Sequence, residues 1–194
     1  MRKLLFCFVV VLLALSPAFA GDVELIVNGD FESGSLSPWF NARDFCTSTC
    51  IPWDVTTTNP HSGMFSAMDT GNIELRQDFT PTLGSDITNV SFWFNNSVGF
   101  TAFDFFYTDG SDEEFVAEGP GGTWIFVNAT GDVDTGKTLS GFSIFGADPD
   151  ITTFVDDVSI TAQGGATVPE PASLSMLGGG ALILFGAVRR RLGR

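Results

Sequence analysis

The sequence predicts an all-β fold, an antiparallel two-sheet β-sandwich, between an N-terminal signal peptide and a C-terminal membrane-spanning segment. Three observations lead to this prediction. The chain has 194 residues, which allows one ordinary domain with appendages. Residues 21–167 show no amphipathic helical periodicity, and short alternating or aromatic runs recur there between clusters of Gly, Asp, Asn and Pro. Runs of this kind at regular spacing are typical of a sandwich of two antiparallel sheets.

The runs give nine predicted strands, and alternation within them indicates which side chains point inward. In chain order the predicted strands are residues 23–27, 64–67, 72–79, 89–95, 101–107, 113–118, 123–128, 138–145 and 153–161. In the fourth run Val90, Phe92 and Phe94 share one face. Because the other face is also partly aromatic, the pattern suggests either a central strand or a groove lined by Trp93, Phe106 or Tyr107.

The first 20 residues have the pattern of a secretory signal peptide. Arg2 and Lys3 precede an apolar run over residues 4–15, and the segment ends in a small-x-small pattern at residues 18–20. We therefore expect signal peptidase to cleave after Ala20. The predicted β-sandwich domain then occupies residues 21–161.

The end of the chain has three parts that follow one another in a fixed order. Residues 162–171 form a predicted linker that ends in Pro-Glu-Pro, and residues 172–188 carry no charge. Seventeen helical residues reach about 25 Å, the lower limit for a transmembrane helix. The arginine-rich tail at residues 189–194 then stays in the cytoplasm.

This three-part end resembles the PEP-CTERM sorting signal of Gram-negative bacteria, which the membrane protease exosortase recognises and removes. The matching residues are Pro169, Glu170, Pro171, Arg189, Arg190 and Arg191. The resemblance implies export, transient anchoring of the precursor in the inner membrane, cleavage near Pro-Glu-Pro, and release to the cell surface or the extracellular matrix.

The charge of the chain excludes one class of partner. All 23 acidic residues lie within residues 22–170, and Arg43, Arg76 and Lys137 are the only basic residues of that segment. Such a surface repels the phosphate backbone wherever salt does not screen it. Nucleic acid is therefore not an expected partner.

One carboxylate in the last predicted strand needs a partner. Alternation in residues 153–161 places four side chains on one face: Phe154, Asp156, Val158 and Ile160. A carboxylate among apolar residues is costly unless it is paired or bound to a cation. The turn at residues 28–32 contains Asp30 and Glu32, and carboxylates with turn carbonyls are the ligands that Ca²⁺ prefers. From these residues alone, a calcium site and a solvated acidic turn both remain open.

The domain resembles a galactose-binding-like jelly roll, a layout that carbohydrate-binding modules use. The resemblance rests on the segments 25–32, 61–63, 92–93 and 154–160, together with Trp39, Ala67 and Gln77. It implies a structural calcium ion held by the side chains of Glu32 and Asp156. The backbone at Asp30 and at the loop that begins with His61 would complete the site.

Sugar-binding modules lay pyranose rings on exposed aromatic side chains. The candidates for such contacts are Trp53, Trp93, Tyr107 and Trp124. The alternative for each of them is a structural role in the core or at its rim. Trp39 is expected to pack beneath the turn that contains Phe31.

Two cysteines remain after removal of the signal peptide. Cys46 and Cys50 lie close together in an exported domain, which favours a disulfide over metal ligation. His61 is the only histidine that could assist a metal site.

The sequence favours a protein that is not an enzyme. His61 is not accompanied by a Gly-x-Ser-x-Gly motif, and the carboxylates at residues 104–114 have the pattern of a solvated sheet edge. We expect a surface or matrix protein that binds exopolysaccharide. The alternative is a structural or adhesive matrix protein without a sugar ligand, and a glycoside hydrolase ranks behind both.

Overall fold

The computed structural model describes residues 21–45, 50–146, 148 and 150–164. Within these residues the chain forms eleven β-strands and two short 3₁₀ turns. The strands are β1 (Val23–Glu24), β2 (Phe40–Asp44), β3 (Ile51–Thr56), β4 (Ser66–Thr70), β5 (Ile73–Leu83), β6 (Ile87–Asn95), β7 (Phe100–Tyr107), β8 (Asp112–Glu118), β9 (Ile125–Asn128), β10 (Thr138–Phe145) and β11 (Thr152–Ala162). The 3₁₀ turns span Gly84–Asp86 and Thr130–Asp132.

The strands form two antiparallel sheets. The first sheet has the order β3-β4-β11-β6-β9, and β1 pairs with β11. The second sheet has the order β2-β5-β10-β7-β8. Neighbours in each sheet are mostly distant in sequence, so that the chain crosses repeatedly between the sheets, as in Greek-key sandwiches. The predicted all-β two-sheet sandwich is confirmed.

Each of the nine predicted strands overlaps an observed strand. Two further strands, β2 and β3, were not predicted. β2 is exposed at all five positions, and β3 contains Pro52 and only one fully buried residue, Trp53. Both lie at the edge of their sheet. Edge strands bury little surface and tolerate proline, so they lack the alternation that revealed the other strands.

Aromatic side chains fill the space between the two sheets. Phe92 and Phe94 of β6 are fully buried, as the alternation predicts. Phe92 packs against Phe103 and Phe142 from the second sheet, with ring centroids 5.5 and 5.8 Å apart, and Phe105 lies 5.7 Å from Phe142. Such pairs each contribute about 0.5–1.5 kcal/mol beyond the burial of area.

A β-bulge in β11 changes the predicted inward face of the last strand. Asp156 pairs with Trp93 and Ser159 with Ser91, so β11 uses one residue more than β6 over this step. Asp157, inside the bulge, has a φ of 49°. The extra residue reverses the alternation. Val155, and not Phe154, is therefore buried on the face of Val158 and Ile160.

The described unit runs from Asp22 to Gln163, and its last strand ends one residue beyond the predicted domain boundary. The signal peptide at residues 1–20, the predicted span at 172–188 and the tail at 189–194 lie outside the described residues, as does most of the linker. Among the residues that are described, no helix has the length and apolar character needed to cross a membrane.

Candidate functional site

Arg43 lies over two buried carboxylates on the outer face of the second sheet. Its Nε donates a hydrogen bond to Glu74 Oε2, and its Nη2 donates to Asp104 Oδ2 at 2.7 Å. The Glu74 and Asp104 side chains are 0% and 1% exposed, whereas that of Arg43 is 42% exposed. The strands β2, β5 and β7 bring these residues together across the sheet. The guanidinium therefore neutralises the buried charges while one side of it faces solvent.

Three buried oxygen atoms at this place have no hydrogen-bond partner among the described residues. They are Glu74 Oε1, Asp104 Oδ1 and Ser143 Oγ. Ser143 of β10 pairs in register with Asp104. Leaving a buried polar group unsatisfied costs about 1–3 kcal/mol, and such groups in native proteins are normally satisfied by water or a ligand. These three oxygens lie beneath Arg43 and are closed off from solvent.

The environment also raises the pKa of Asp104 to about 6. Burial is the largest cause, and the nearby charges of Glu114 and Glu74 act in the same direction. The ion pair and hydrogen bond with Arg43 oppose the shift. The pKa of Arg43 is raised in turn, chiefly by its hydrogen bond to Glu74. Arg43 is thus outnumbered by the nearby carboxylates of Glu74, Asp104 and Glu114. This excess of negative charge makes the site unfavourable for anionic ligands.

Aromatic side chains wall a cleft of about 340 Å³ beside Arg43. The cleft is lined by Arg43, Phe45, Asn72, Phe100, Ala102, Glu114, Val116, Phe145 and Gly146, and we call it the arginine cleft. The Arg43 guanidinium carbon lies 5.5–5.7 Å from the ring centroids of Phe45, Phe106 and Phe145, within the range of cation–π attraction. Apolar walls with a few polar groups are typical of small-ligand sites.

The structure places the three rings that were candidates for lining a groove at different positions. Phe106 lies beside the arginine cleft, where the Arg76 guanidinium carbon is 3.7 Å from its ring centroid. Trp93 lies on the first sheet, in β6. Tyr107 is 3% exposed, and its hydroxyl accepts a hydrogen bond from the Asp134 N–H. These three rings therefore line no common groove, whereas β6 and β7 both lie inside their sheets, in agreement with the alternative of a central strand.

Two of the four aromatic residues predicted to stack on sugars are buried. Trp53 is 2% exposed, and its Nε1 donates to the Ile73 carbonyl at 2.7 Å. Tyr107 is equally buried. Neither can offer a ring face to a ligand, because each is held in the core with its polar atom satisfied inside the protein. Trp39 packs under the turn as expected, 6.0 Å from Phe31.

The other two, Trp93 and Trp124, come together around His61. The His61 ring stacks on Trp93 with centroids 3.9 Å apart, and Trp124 meets His61 edge-on at 5.4 Å. Phe126 lies 5.1 Å from Trp93 and is 52% exposed. We call these four residues the aromatic patch.

The predicted calcium ligands Glu32 and Asp156 hold the same loop from two sides. Glu32 Oε1 accepts hydrogen bonds from the N–H groups of Met64 and Phe65, both at 2.8 Å. Asp156 Oδ2 accepts from the N–H groups of His61 and Ser62 at 2.9 and 3.2 Å. The two carboxylates thus fix residues 61–65 through backbone donors.

Asp156 is fully buried, and burial is the main reason why its pKa rises to about 6. Its backbone N–H partners oppose that shift. Asp30 has a local role in which its Oδ1 accepts from the Glu32 N–H. No group of three or more His, Cys, Asp or Glu side chains able to hold a metal ion is found in the described part of the chain. Carbonyl groups or water would have to supply the other calcium ligands.

One member of the predicted cysteine pair can be described. Cys50 is disulfide-bonded, and Cys46 lies outside the described residues. The sorting residues Pro169, Glu170, Pro171, Arg189, Arg190 and Arg191 also lie outside them.

The sequence pattern indicated Phe106, which lies beside the arginine cleft, but it did not identify the cleft or assign Arg43 to a site. The signal that could have found Arg43 and Arg76 is their rarity, because they are two of three basic residues among 22 acidic ones in the segment that precedes the sorting motif. An isolated cation in such a domain indicates a specific carboxylate partner. Glu74, the partner of Arg43, follows Ile73 in a run whose pattern does not indicate that the carboxylate is buried.

The fold resembles those of solved carbohydrate-binding modules. TmCBM61, solved in complex with β-1,4-galactotriose, gives a TM-score of 0.51 at 22% identity and covers 72% of this chain and 99% of its own. The CBM22-1 xylan-binding domain of Paenibacillus barcinonensis Xyn10C gives 0.52 at 14%, with 77% and 99% covered. Family 16 Carbohydrate Binding Module-2 gives 0.50 at 12%, with 70% and 98% covered. No curated protein sequence matches the chain significantly.

The end of the chain has an independent match. Residues 167–191 match the PEP-CTERM protein-sorting motif, which confirms the resemblance seen in the sequence. Sorting by this motif implies export and processing by exosortase. The chain thus carries a PEP-CTERM sorting motif, which indicates export, after a domain with the jelly-roll β-sandwich fold seen in carbohydrate-binding modules.

Proposed function

We propose that this protein is a non-catalytic component of the cell surface or extracellular matrix that binds neutral polysaccharide in the arginine cleft. The observation that carries this proposal is the arginine cleft itself, whose apolar walls stand beside the polar groups of Arg43, Asn72 and Glu114. Sugars combine hydroxyl donors with apolar ring faces, which matches both parts of the site. The fold of carbohydrate-binding modules agrees with this function.

The charge of the cleft favours neutral glycans over acidic ones. Arg43 is paired with the carboxylates of Glu74 and Asp104, and Glu114 adds a further carboxylate to the cleft lining. A uronic acid or sulfate group would meet a net negative surface and be repelled. Neutral polymers such as β-1,4-galactan and xylan, the ligand classes named for two of the structural neighbours, are therefore the first to test.

We also propose that calcium stabilises the domain near residues 61–65. Glu32 and Asp156 reach this loop from two sides, and a carboxylate has about four lone-pair sites. N–H bonds and a cation can therefore share the same side chains. The proposal follows from the family resemblance and from this convergence.

We further propose that the precursor is retained in the inner membrane of a Gram-negative cell before exosortase processes it at the sorting motif.

Affinity electrophoresis of the full chain in detergent tests the main proposal. Gels would contain β-1,4-galactan, xylan or, as an anionic control, polygalacturonate. We expect retardation by a neutral polymer and none by polygalacturonate. Replacing Phe100 and Val116, which are 39% and 59% exposed in the cleft, by serine should weaken retardation about tenfold or more, because their apolar area is lost.

Leu83→Ser is the matched control, since Leu83 is 53% exposed and does not line the cleft. It should migrate like the wild type. If no glycan retards the wild-type protein, the structural or adhesive alternative replaces the proposal. Release of reducing sugar from any of these polymers would overturn the non-catalytic assignment.

A further inference from the structure

The aromatic patch is an exposed, organised surface on the outer face of the first sheet. Trp93 of β6 and Phe126 of β9 are direct cross-strand partners. Half of the Phe126 surface is exposed to solvent. The arginine cleft lies on the outer face of the second sheet, and the outer faces of a sandwich point in opposite directions. The patch is therefore a separate surface.

Hydrogen bonds hold the patch in one arrangement. His61 Nδ1 lies 2.6 Å from Asp157 Oδ2, and the Ser62 hydroxyl donates to Asp157 Oδ1 at 2.8 Å. The His61 backbone N–H is bound by the buried Asp156 carboxylate. Because the bulge in β11 places both carboxylates at this loop, the imidazole stays stacked on Trp93. A ligand would meet a surface that has little conformational entropy left to lose.

A row of neutral polar side chains runs beside the aromatic row. Ser91 of β6 pairs with Asn128 of β9 on one side and with Ser159 of β11 on the other. This row lies two residues along the strands from Trp93 and Phe126, a distance of about 7 Å. Aromatic rings bordered by hydroxyl and amide groups match a pyranose, which has an apolar ring face and hydroxyls at its edge.

The distribution of basic residues limits what this surface can bind. Arg43 and Arg76 belong to β2 and β5 of the second sheet, and Lys137 directly precedes β10 of the same sheet. The first sheet therefore carries none of the basic residues of the described chain. Phosphate, sulfate and uronate groups would find no Lys or Arg among the described residues of this sheet. A neutral glycan is the ligand that fits both the rings and the charge.

We infer that the aromatic patch is a second binding surface for neutral polysaccharide, so that one molecule joins two polysaccharide chains. This inference rests on the proposed function for the nature of the polymer, but it uses a different sheet and different residues. Joining chains is a role that a single cleft could not perform. It also increases the overall avidity for a polymer that presents many copies of one ligand.

A bridging assay with the full chain in detergent tests the inference. Insoluble xylan or galactan is incubated with the protein, and capture of the same polymer in soluble, fluorescent form is measured. Phe126→Ser should reduce capture by about tenfold or more while retardation in gels is only weakened. The Phe100 and Val116 double variant should also lose capture, and the weakened retardation that it still shows in gels should come from the patch. Leu83→Ser should behave like the wild type in both assays.

The outcomes separate the two proposals. Unchanged capture and unchanged retardation by Phe126→Ser would overturn the second surface and leave the arginine cleft intact. If Phe126→Ser abolishes retardation while the Phe100 and Val116 double variant is retarded like the wild type, the patch is supported as a binding surface and the arginine cleft is not. If Phe126→Ser instead lowers the sedimentation mass of the protein without any polysaccharide, the patch is a contact between copies of the chain, and the inference is wrong.

Discussion

At the residue scale, the domain is notable for buried carboxylates whose pKa values are raised by burial. Asp69 is 0% exposed, and neither of its oxygens has a hydrogen-bond partner among the described residues. Burial raises its pKa to about 8, against the opposing effect of the Ile73 N–H. Asp104 and Asp156 are shifted in the same direction, each to about 6. The folded domain therefore binds protons that the unfolded chain releases.

This difference predicts a domain that loses stability as the pH rises. For Asp69, the contribution of the protonated form is complete below its unfolded pKa of 3.8 and is lost as the pH passes through about 8. The slope is at most about 1.4 kcal/mol per pH unit. Asp69→Asn should remove this slope, which urea unfolding between pH 5 and pH 8.5 would measure. Asp112→Asn, at an exposed position, is the control and should keep it. Parallel curves for Asp69→Asn and the wild type would contradict the prediction.

At the scale of elements, the loop at residues 61–65 depends on a glycine. Gly63 has a φ of 59°, and a Cβ there would overlap the Glu32 carboxylate. That carboxylate binds the N–H groups of Met64 and Phe65, so a side chain at residue 63 would disturb the bonds that hold the loop. The geometry of His61 depends on the same loop.

Gly63→Ala should therefore destabilise the domain by more than backbone strain alone. A left-handed φ costs a residue with a Cβ about 1–2 kcal/mol, and lost hydrogen bonds to a carboxylate add about 1–3 kcal/mol. Gly110→Ala provides the matched control, because Gly110 has a φ of 85° and open space around its Cβ position. Thermal or urea unfolding would compare the two variants. An equal loss of stability in both would show that the Glu32 contact contributes nothing.

At the scale of the whole molecule, Glu32 and Asp156 tie the beginning of the domain to its last strand through one loop. Asp156 and His61 are 95 residues apart in the sequence, and Glu32 and Phe65 are 33 apart. A cation added to this arrangement would stabilise only the folded state. The effect of calcium on unfolding is therefore a property of the complete domain.

We expect millimolar CaCl₂ to raise the melting temperature relative to EGTA. The gain should be about 2.7 kcal/mol when calcium is present at about 100 times its Kd. Glu32→Gln and Asp156→Asn should lose the response, whereas Asp112→Asn should retain it. Identical melting curves of the wild type in CaCl₂ and EGTA would refute the calcium site and leave the N–H bonds as the sole partners of these carboxylates.

The sequence by itself determined the class of fold, the sorting signal and the strands that bury alternate aromatic residues. Alternation in β6 predicts that Val90, Phe92 and Phe94 point inward, because alternation is a local property of a strand. The same local rule failed at Phe154, because one extra residue in the bulge reverses the faces. Only the tertiary structure decided which strands are neighbours.

Both candidate surfaces depend on that choice of neighbours. Arg43 meets Asp104 across 61 residues of sequence, and His61 meets Asp157 across 96. Buried carboxylates, a cation above them and an imidazole stacked on Trp93 arise only where distant strands align in register. Local patterns carry no information about such alignment, because the pairing energy comes from burial and cross-strand contacts in the assembled sandwich.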